Sequence, residues 1–274
     1  MTGNPEHGID DSEPASAATG TLGKAMAVLD LVVSASTPMR FTDILALSDQ
    51  PRGTLHRQLG HLVDEGLLEL GRDLTYAPGL RLLTMAARAW GHNQFRAIAE
   101  PHLRALHELT AETVHLGVLR QDAIVYLDKV ESRQSVRMHS QIGNASPVYC
   151  TGIGKAALSA LPPEVLIRQV ARFDFKPFTA TTHRDASTLL AEIETIRRQG
   201  FAIDRQEHES GITCVAAPIW SEDRGFVAGI SVTGPAYRVV SEQLQAWAEP
   251  VRKAAAAIMA DMFARLGPRR EAVI

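Results

Sequence analysis

Between Gly200 and Ile219 the chain gathers Asp204, Glu207, His208, Glu209 and Cys214, side chains that can move protons, hold cations or attack a carbonyl. A thiol beside an imidazole base, with Asp204 to orient that base, would be a nucleophile. Neighbourhood along one segment is poor evidence of contact in space, however, and Cys214 opens an apolar run in which a buried, inert thiol is the default. A second cluster, Cys150-Thr-Gly-Ile-Gly-Lys-Ala-Ala157, reads as a glycine-bearing turn into a helix. Its first N–H groups either cradle a carboxylate or phosphate or take a plain helix cap. It is not a P-loop: Tyr149 stands where the first glycine of that motif belongs, and Ala156 lacks the hydroxyl that would hold magnesium. The third cluster is Ser231 and Thr233, which strand period two places on one face while Ile230 and Val232 take the other. Two hydroxyls beside an apolar wall suit a small polar ligand or a satisfied core.

A different chemistry is written into residues 41–67. Leu55, Leu59, Leu62 and Val63 recur at helical spacing and must face a core. At about 100° per residue the opposite side of that helix carries Gly53, Thr54, Arg57, Gly60, His61 and Asp64. Each glycine on an exposed helix face costs about 1 kcal/mol relative to Ala, so a large partner that approaches the backbone is expected there. The DNA major groove is such a partner, and a solvated amphipathic helix is the plain alternative. With their neighbours Arg52 and His56, the residues Gly53, Thr54, Arg57 and His61 form the candidate DNA-contact set.

The elements around this helix agree with that reading. A short apolar helix precedes it, separated by a break at Ser48-Asp49-Gln50-Pro51. Gly66 stops it, and Leu67–Leu70, Gly71–Asp73 and Leu74–Pro78 read as strand, turn, strand. Upstream, Thr21 is placed to cap a helix over Leu22–Val33 whose apolar stripe is Leu22, Met26, Leu29 and Val33. Helix, helix, break, helix, hairpin is a winged helix-turn-helix.

At 274 residues the chain is too long for one such module and is expected to hold two domains. The formal net charge of −3 excludes a general nucleic-acid binder. Over 21–82 the cations Lys24, Arg40, Arg52, Arg57, Arg72 and Arg81 are offset by Asp30, Asp43, Asp49, Asp64, Glu65, Glu69 and Asp73. Few phosphate contacts per protomer imply dimerisation across two half-sites, as in a sequence-specific regulator. No apolar run approaches the roughly 20 residues that span a bilayer. Residues 1–20 lack the order of a signal peptide and read as a disordered tail, which points to the cytoplasm. Cys150 and Cys214 are expected as thiols. Neither has a CxxC partner, and His115, His139, His183 and His208 show no ligand spacing, so no metal and no cofactor is expected.

A long helical segment runs from Gly79 to about Leu109, with Leu82, Met85, Ala86, Ala89 and Trp90 on one stripe. Pro101 interrupts it and is expected to mark entry into the second domain. The stripe packs either on its own domain or, as the small Ala residues favour, against a second protomer. Further on, Thr113–Val118, Ala123–Leu127 and Gly225–Thr233 read as strands. Helices are expected near Gly154–Leu161, Pro163–Ala171, Ala186–Gln199 and Ser241–Leu266. A mostly antiparallel sheet flanked by helices is an α+β domain. The expected division is a tail at 1–20, a winged helix-turn-helix at 21–82, a linker helix at 83–102, an α+β domain at 103–267 and a tail at 268–274.

Both halves resemble the IclR family of bacterial transcriptional regulators, from about Leu22 to Gly267. The first half carries the resemblance in Thr54-Leu-His-Arg57, Leu59, Leu62-Val63, Gly66 and Tyr76-Ala-Pro-Gly79. The second carries it in Leu127-Asp-Lys-Val-Glu-Ser132, Thr151-Gly-Ile-Gly-Lys-Ala156, Gly200-Phe-Ala-Ile-Asp204, Glu207, Gly211, Cys214-Val-Ala-Ala-Pro-Ile219 and Ser231-Val-Thr-Gly-Pro235. So many matches in order are highly specific. The resemblance implies a regulator, not an enzyme: a winged helix on an operator in double-stranded DNA, a GAF-like domain for a small-molecule effector, and a homodimer or homotetramer. Effectors of the family are often organic or sugar acids and aromatic carboxylates. Carried over by position, the effector would touch backbone at Gly152 and Ile153 and side chains of Asp204, Cys214, Ser231 and Thr233. The family commonly has Gly-Leu-Pro and a small hydroxyl residue before the second helix. Here stand Asp49, Gln50, Pro51 and, at the hydroxyl position, Gly53, and Arg52 and Thr54 are expected to compensate.

Overall fold

The computed structural model describes residues 20–135, 140–221 and 225–266, and the chain divides into two compact units between His92 and Asn93. Residues 1–19 and 268–274 of the two expected tails, Gly267 at the end of the resemblance, and His139 lie outside the described residues.

The first unit runs α1 (Gly20–Ser34), β1 (Met39–Arg40), α2 (Phe41–Leu47), α3 (Arg52–Asp64), β2 (Leu68–Leu70), β3 (Thr75–Pro78) and α4 (Leu80–Gly91). Its core is Val28, Leu29 and Val32 of α1 with Ile44, Leu55, Leu59, Leu62, Leu68 and Tyr76. Two expectations for α1 need correction. The helix begins at Gly20, so Thr21 lies inside it rather than capping it. Of the expected stripe only Leu29 is buried, while Leu22, Met26 and Val33 are exposed. Burial is confined to the C-terminal half of the helix, where Val28 and Val32 flank Leu29 and fix the inward face.

The hairpin β2–β3 pairs Leu68 with Pro78 and Leu70 with Tyr76. Beyond it, β1, which carries no strand pattern of its own, adds Met39 opposite Tyr76 and completes a three-stranded sheet in the order β1-β3-β2. The break before α3 closes through Gln50: its N–H donates to the Ser48 hydroxyl at 3.2 Å and its side-chain amide to the Lys24 carbonyl at 3.0 Å. Pro51 then precedes the first helical residue with φ −58°, a value its ring enforces. The departure at Asp49-Gln50-Pro51 therefore still gives a tight turn.

The segment read as one helix from Gly79 to about Leu109 is two. Helix α4 ends at Gly91, and α5 (Gln94–Thr110) restarts after Asn93, whose side chain accepts from the Arg96 N–H at 3.0 Å. Pro101 lies inside α5 and does not break it. A mid-helix proline costs about 3 kcal/mol; Ile98, Ala99, Leu103 and Leu106 are all buried and hold the helix through it. The stripe on α4 also divides. Leu82 packs against the first unit's core, whereas Met85 is exposed and no residue of α4 is buried.

The second unit continues with β4 (Thr113–Arg120), β5 (Ala123–Val130), β6 (Ala145–Pro147), a 3-10 turn at Val148–Cys150, α6 (Gly152–Ser159), α7 (Pro163–Val170) and α8 (Ala186–Gln199). The last elements are β7 (Ala202–Arg205), β8 (Ile212–Ser221), β9 (Phe226–Pro235) and α9 (Ser241–Leu266). Its six strands are antiparallel in the order β6-β5-β4-β9-β8-β7. One sheet face sends Val114, Leu116, Val215, Ile230 and Val232 into a core with α5 and α9. On the other face Ala202 and Ala216 join a second core with α6 and α8. The unit is an α+β layer sandwich. Among the described residues no helix is long and apolar enough to cross a membrane.

Candidate functional site

On α3 the buried side is Leu55, Gln58, Leu59 and Leu62. The opposite side exposes Arg52, Gly53, His56, Arg57 and His61, with Thr54 half-buried. An ideal Cβ at Gly53 or Gly60 meets nothing within 4 Å, so nothing inside the protein demands either glycine. Phe41 organises one end of this face: the Arg52 guanidinium lies 5.2 Å from its ring centroid, and the His56 ring packs edge-on at 5.8 Å. Arg57 and His61 make no ion pair among the described residues and project freely. Arg72, exposed in the β2–β3 turn beside Leu74 at φ 62°, is a further cation that the helix pattern alone does not single out.

The second site grows from the sheet face opposite α5 and α9. Strand period two and the register put Asp204, Cys214 and Thr233 in one row across β7, β8 and β9. Ser231 and His115 lie in the adjacent row across β9 and β4. The face then changes character. Gly117 of β4 pairs with Gly229 of β9, and a Cβ there would stand 3.1 Å and 2.9 Å from Ile153 side-chain atoms. Those two glycines let α6 settle onto the sheet, and Gly152 completes the fit, since its Cβ would lie 2.5 Å from Cys214 Sγ. Helix α6 thus covers one end of the face and leaves the polar rows open.

What remains is a cavity of about 400 Å³ lined by Ile153, Asp204, Cys214, Ser231 and Thr233, five of the six residues carried over for the effector. Gly152 is the exception: it lies off the cavity wall, packed closely against Cys214. The helix N-terminus is partly spoken for, because Thr151 Oγ1 accepts from the Gly154 N–H at 3.2 Å. The Ser231 and Thr233 hydroxyls stand 3.4 Å apart, on one face as the period required.

Spacing alone missed His115, Tyr126, Asn144, Ser146, Thr151 and His208, which also line the cavity. His115 was within reach, since the alternation of Thr113–Val118 puts it opposite the buried Val114 and Leu116. The other five come from neighbouring strands and loops and leave no periodic trace. Burial, with Lys129 nearby, holds His115 neutral, its value depressed to about 3. Its Nε2 lies 2.6 Å from Ser140 Oγ.

Beneath Asp204 lies a charged knot. Lys155, fully buried, donates to Glu192 at 2.8 Å, to both Glu207 oxygens at 2.6 Å and to the Ile203 carbonyl at 3.0 Å. Burial alone would depress this ammonium; the two carboxylates outweigh it and raise its pKa. Burial pushes Glu192 up, yet His183 and Lys155 bring it down to about 2. His183, Glu192 and Glu207 bring their ligand atoms within 4.8 Å of one another, the one metal-capable trio among the described residues. The Lys155 ammonium already sits on both carboxylates as their cation. Desolvation, then the Glu207 charge, lifts Asp204 to about 7. Burial raises Cys214 far above the usual thiol range and Cys150 to about 12. Both cysteines are free, buried thiols, and neither is an activated nucleophile.

A winged helix-turn-helix with an exposed basic face, joined in one chain to a sheet domain with a partly open cavity of mixed polar and apolar lining, defines a ligand-responsive transcriptional regulator. The family models described as IclR helix-turn-helix domain and bacterial transcriptional regulator IclR C-terminal match residues 21–71 and 87–260. The chain is 33% identical to the HTH-type transcriptional regulator KdgR of Escherichia coli over 75% of its length and 76% of that protein. It superposes on the Thermotoga maritima IclR structure with a TM-score of 0.67 and 31% identity, covering 90% of this chain and 98% of that one. An IclR homologue from Microbacterium hydrocarbonoxydans, solved with 4-hydroxybenzoate, gives 0.74 and 25% identity over 89% and 99% of the two chains. The chain belongs to the IclR family. It is a DNA-binding transcriptional regulator and not an enzyme.

Proposed function

We propose that residues 21–82 bind an operator through α3, with Thr54 donating to phosphate and Arg57 reaching a base edge or phosphate. Arg52, Gly53, His56 and His61 complete that surface, and Arg72 contacts the backbone from the wing. The observation that carries this reading is the pair of glycines flanking Arg57 on a face where the protein itself leaves open space. Residues 83–102 link this domain to an effector domain over 103–267 and pair protomers into a dimer or tetramer; the exposed Leu83 and Met85 support that role. The cavity binds an organic or sugar acid as effector, held by Ile153, Asp204, Cys214, Ser231 and Thr233 near Gly152. The Microbacterium homologue, solved in complex with 4-hydroxybenzoate, supports a carboxylate as effector.

Effector binding shifts the dimer arrangement and with it the half-site spacing, changing operator affinity by about 1–3 kcal/mol in a cytoplasmic repressor. Arg57→Ala is the direct test: gel-shift affinity for the protein's own upstream region should vanish while circular dichroism stays unchanged. Retained affinity would overturn the assignment of α3.

A further inference from the structure

The lining of the cavity is unusual in its charges. Among the described residues Asp204 and Glu209 are on the wall and no Arg or Lys is; the Lys155 ammonium spends its N–H donors on Glu192, Glu207 and Ile203, and Lys129 is held by Glu131 and the Ser140 carbonyl. Among the described residues Asp204 has no ion pair. Its Oδ1 accepts from the Glu207 N–H at 2.8 Å. Among the described residues the other groups around it bring no cation either: His115 on β4 is neutral, Tyr126 on β5 is lifted to about 12, Cys150 and Cys214 stay thiols, and burial lowers His208. Of the charged knot, Glu207 and Glu192 oppose a second negative charge at Asp204, while Lys155 favours one from behind. His183 faces Glu192, whose Oε2 lies 2.5 Å from its Nε2. By contrast, hydroxyl, amide and imidazole groups from Tyr126, Asn144, Ser146, Ser231, Thr233 and His115 line much of the wall. The described lining thus offers hydrogen bonds from several directions and no full positive charge.

We propose that the cavity selects singly charged, hydroxyl-bearing carboxylic acids over dicarboxylates and phosphorylated acids, with Asp204 joining the ligand as a hydrogen-bond donor. The proposal rests on the cavity being the effector site. A single carboxylate meets the Ile153 N–H at the start of α6 and the Asp204 O–H, and its hydroxyls meet the Ser, Thr, Asn and Tyr groups. Among the described residues no cation on the wall would receive a second full charge, whose desolvation would go uncompensated. The proton balance is simple. Above about pH 7, where Asp204 is ionised, one proton moves from solvent to its carboxylate as the ligand enters, and no ligand bond is made or broken. Affinity should then fall about tenfold per pH unit above that point and stay flat below it.

The test uses the full-length protein and three matched pairs: gluconate with glucarate, galactonate with galactarate, glycerate with tartronate. 6-Phosphogluconate and 4-hydroxybenzoate are the further probes. Thermal shift and calorimetry should show binding by at least one monocarboxylate and at least tenfold weaker binding by its dicarboxylate and by the phosphorylated acid. For the bound probe, calorimetry at pH 8 in buffers of different ionisation enthalpy should report close to one proton taken up, and near none at pH 6. Asp204→Asn, which carries a fixed N–H donor, should abolish that proton uptake. A dicarboxylate or phosphorylated acid binding as tightly as its partner overturns the proposal, as does absence of binding by all of the hydroxy acids or absence of proton uptake at pH 8. Thr233→Trp, which fills the cavity, separates the two readings. Binding of a disfavoured class that this variant removes refutes the charge selection alone, whereas binding that survives it refutes the cavity as the effector site.

Discussion

Gly60→Ala separates what the protein needs from what its operator needs. Gly60 lies in the middle of α3, where Ala is favoured over Gly by about 0.8–1 kcal/mol. Its ideal Cβ meets nothing within 4 Å, so no steric term offsets that gain. The free protein should therefore be stabilised by nearly the full amount, about 4–8 °C in the melting temperature of a domain of this size. The operator complex should respond with the opposite sign. If the groove approaches the helix backbone at Gly60, the methyl holds the α3 face off the DNA and disturbs the neighbouring Arg57 contacts. Losing one good base contact costs about 1–3 kcal/mol, a loss of affinity of about five- to 150-fold. Differential scanning calorimetry reads the first effect and fluorescence anisotropy at fixed salt the second. A lowered melting temperature would show that the helix face is not open. An unchanged operator affinity would break the link between these glycines and DNA.

Other substitutions probe the remaining packing. Gln58 is 4% exposed on α3, and neither its Oε1 nor its Nε2 has a hydrogen-bond partner. Gln58→Leu should raise the unfolding free energy by about 1 kcal/mol, read as a higher denaturant midpoint, and no increase would mean that the amide is satisfied in solution. Gly152→Ala should destabilise the second unit by about 1–3 kcal/mol through its clash with Cys214 Sγ, and Cys214→Ala in the same chain should recover part of the loss. Strict additivity of the two would refute that contact. Glu192→Gln should cost stability at neutral pH because Lys155 loses a charged partner. Glu192 has its folded value depressed to about 2, so its contribution is complete above its unfolded value and is lost as pH falls toward 2. The gap between parent and variant should close over that window, and a gap independent of pH would remove the charge from the explanation.

Where sequence pattern and structure agree, one local rule settles the element. Helix α8 begins where Asp185 accepts from the Thr188 N–H and ends where Gly200 takes φ 78°, and both signals are visible in the chain. The face of α3 follows from its period alone. Failures occur where a distant contact decides. Helix α1 offers several apolar faces, and only its packing in the first unit's core selects Val28 and Val32. Pro101 should break a helix by local rules, but the buried side chains around it in α5 prevail. Strand β1 is two residues long and exists only because β3 offers an edge.

The cavity obeys the same division. Its strand residues alternate, so Ser231 and Thr233 were legible, and His115 could have been read in the same way. The void itself is not a property of any strand. It lies beside α6, which Gly117, Gly229 and Gly152 let sit close to the sheet face, and side chains from several strands, Asp204, Cys214, Ser231 and His115 among them, line it. A larger residue at any of these glycines would lift α6 off the sheet. The helix N-terminus would then move relative to Asp204, so the glycines set the geometry in which a carboxylate could touch both.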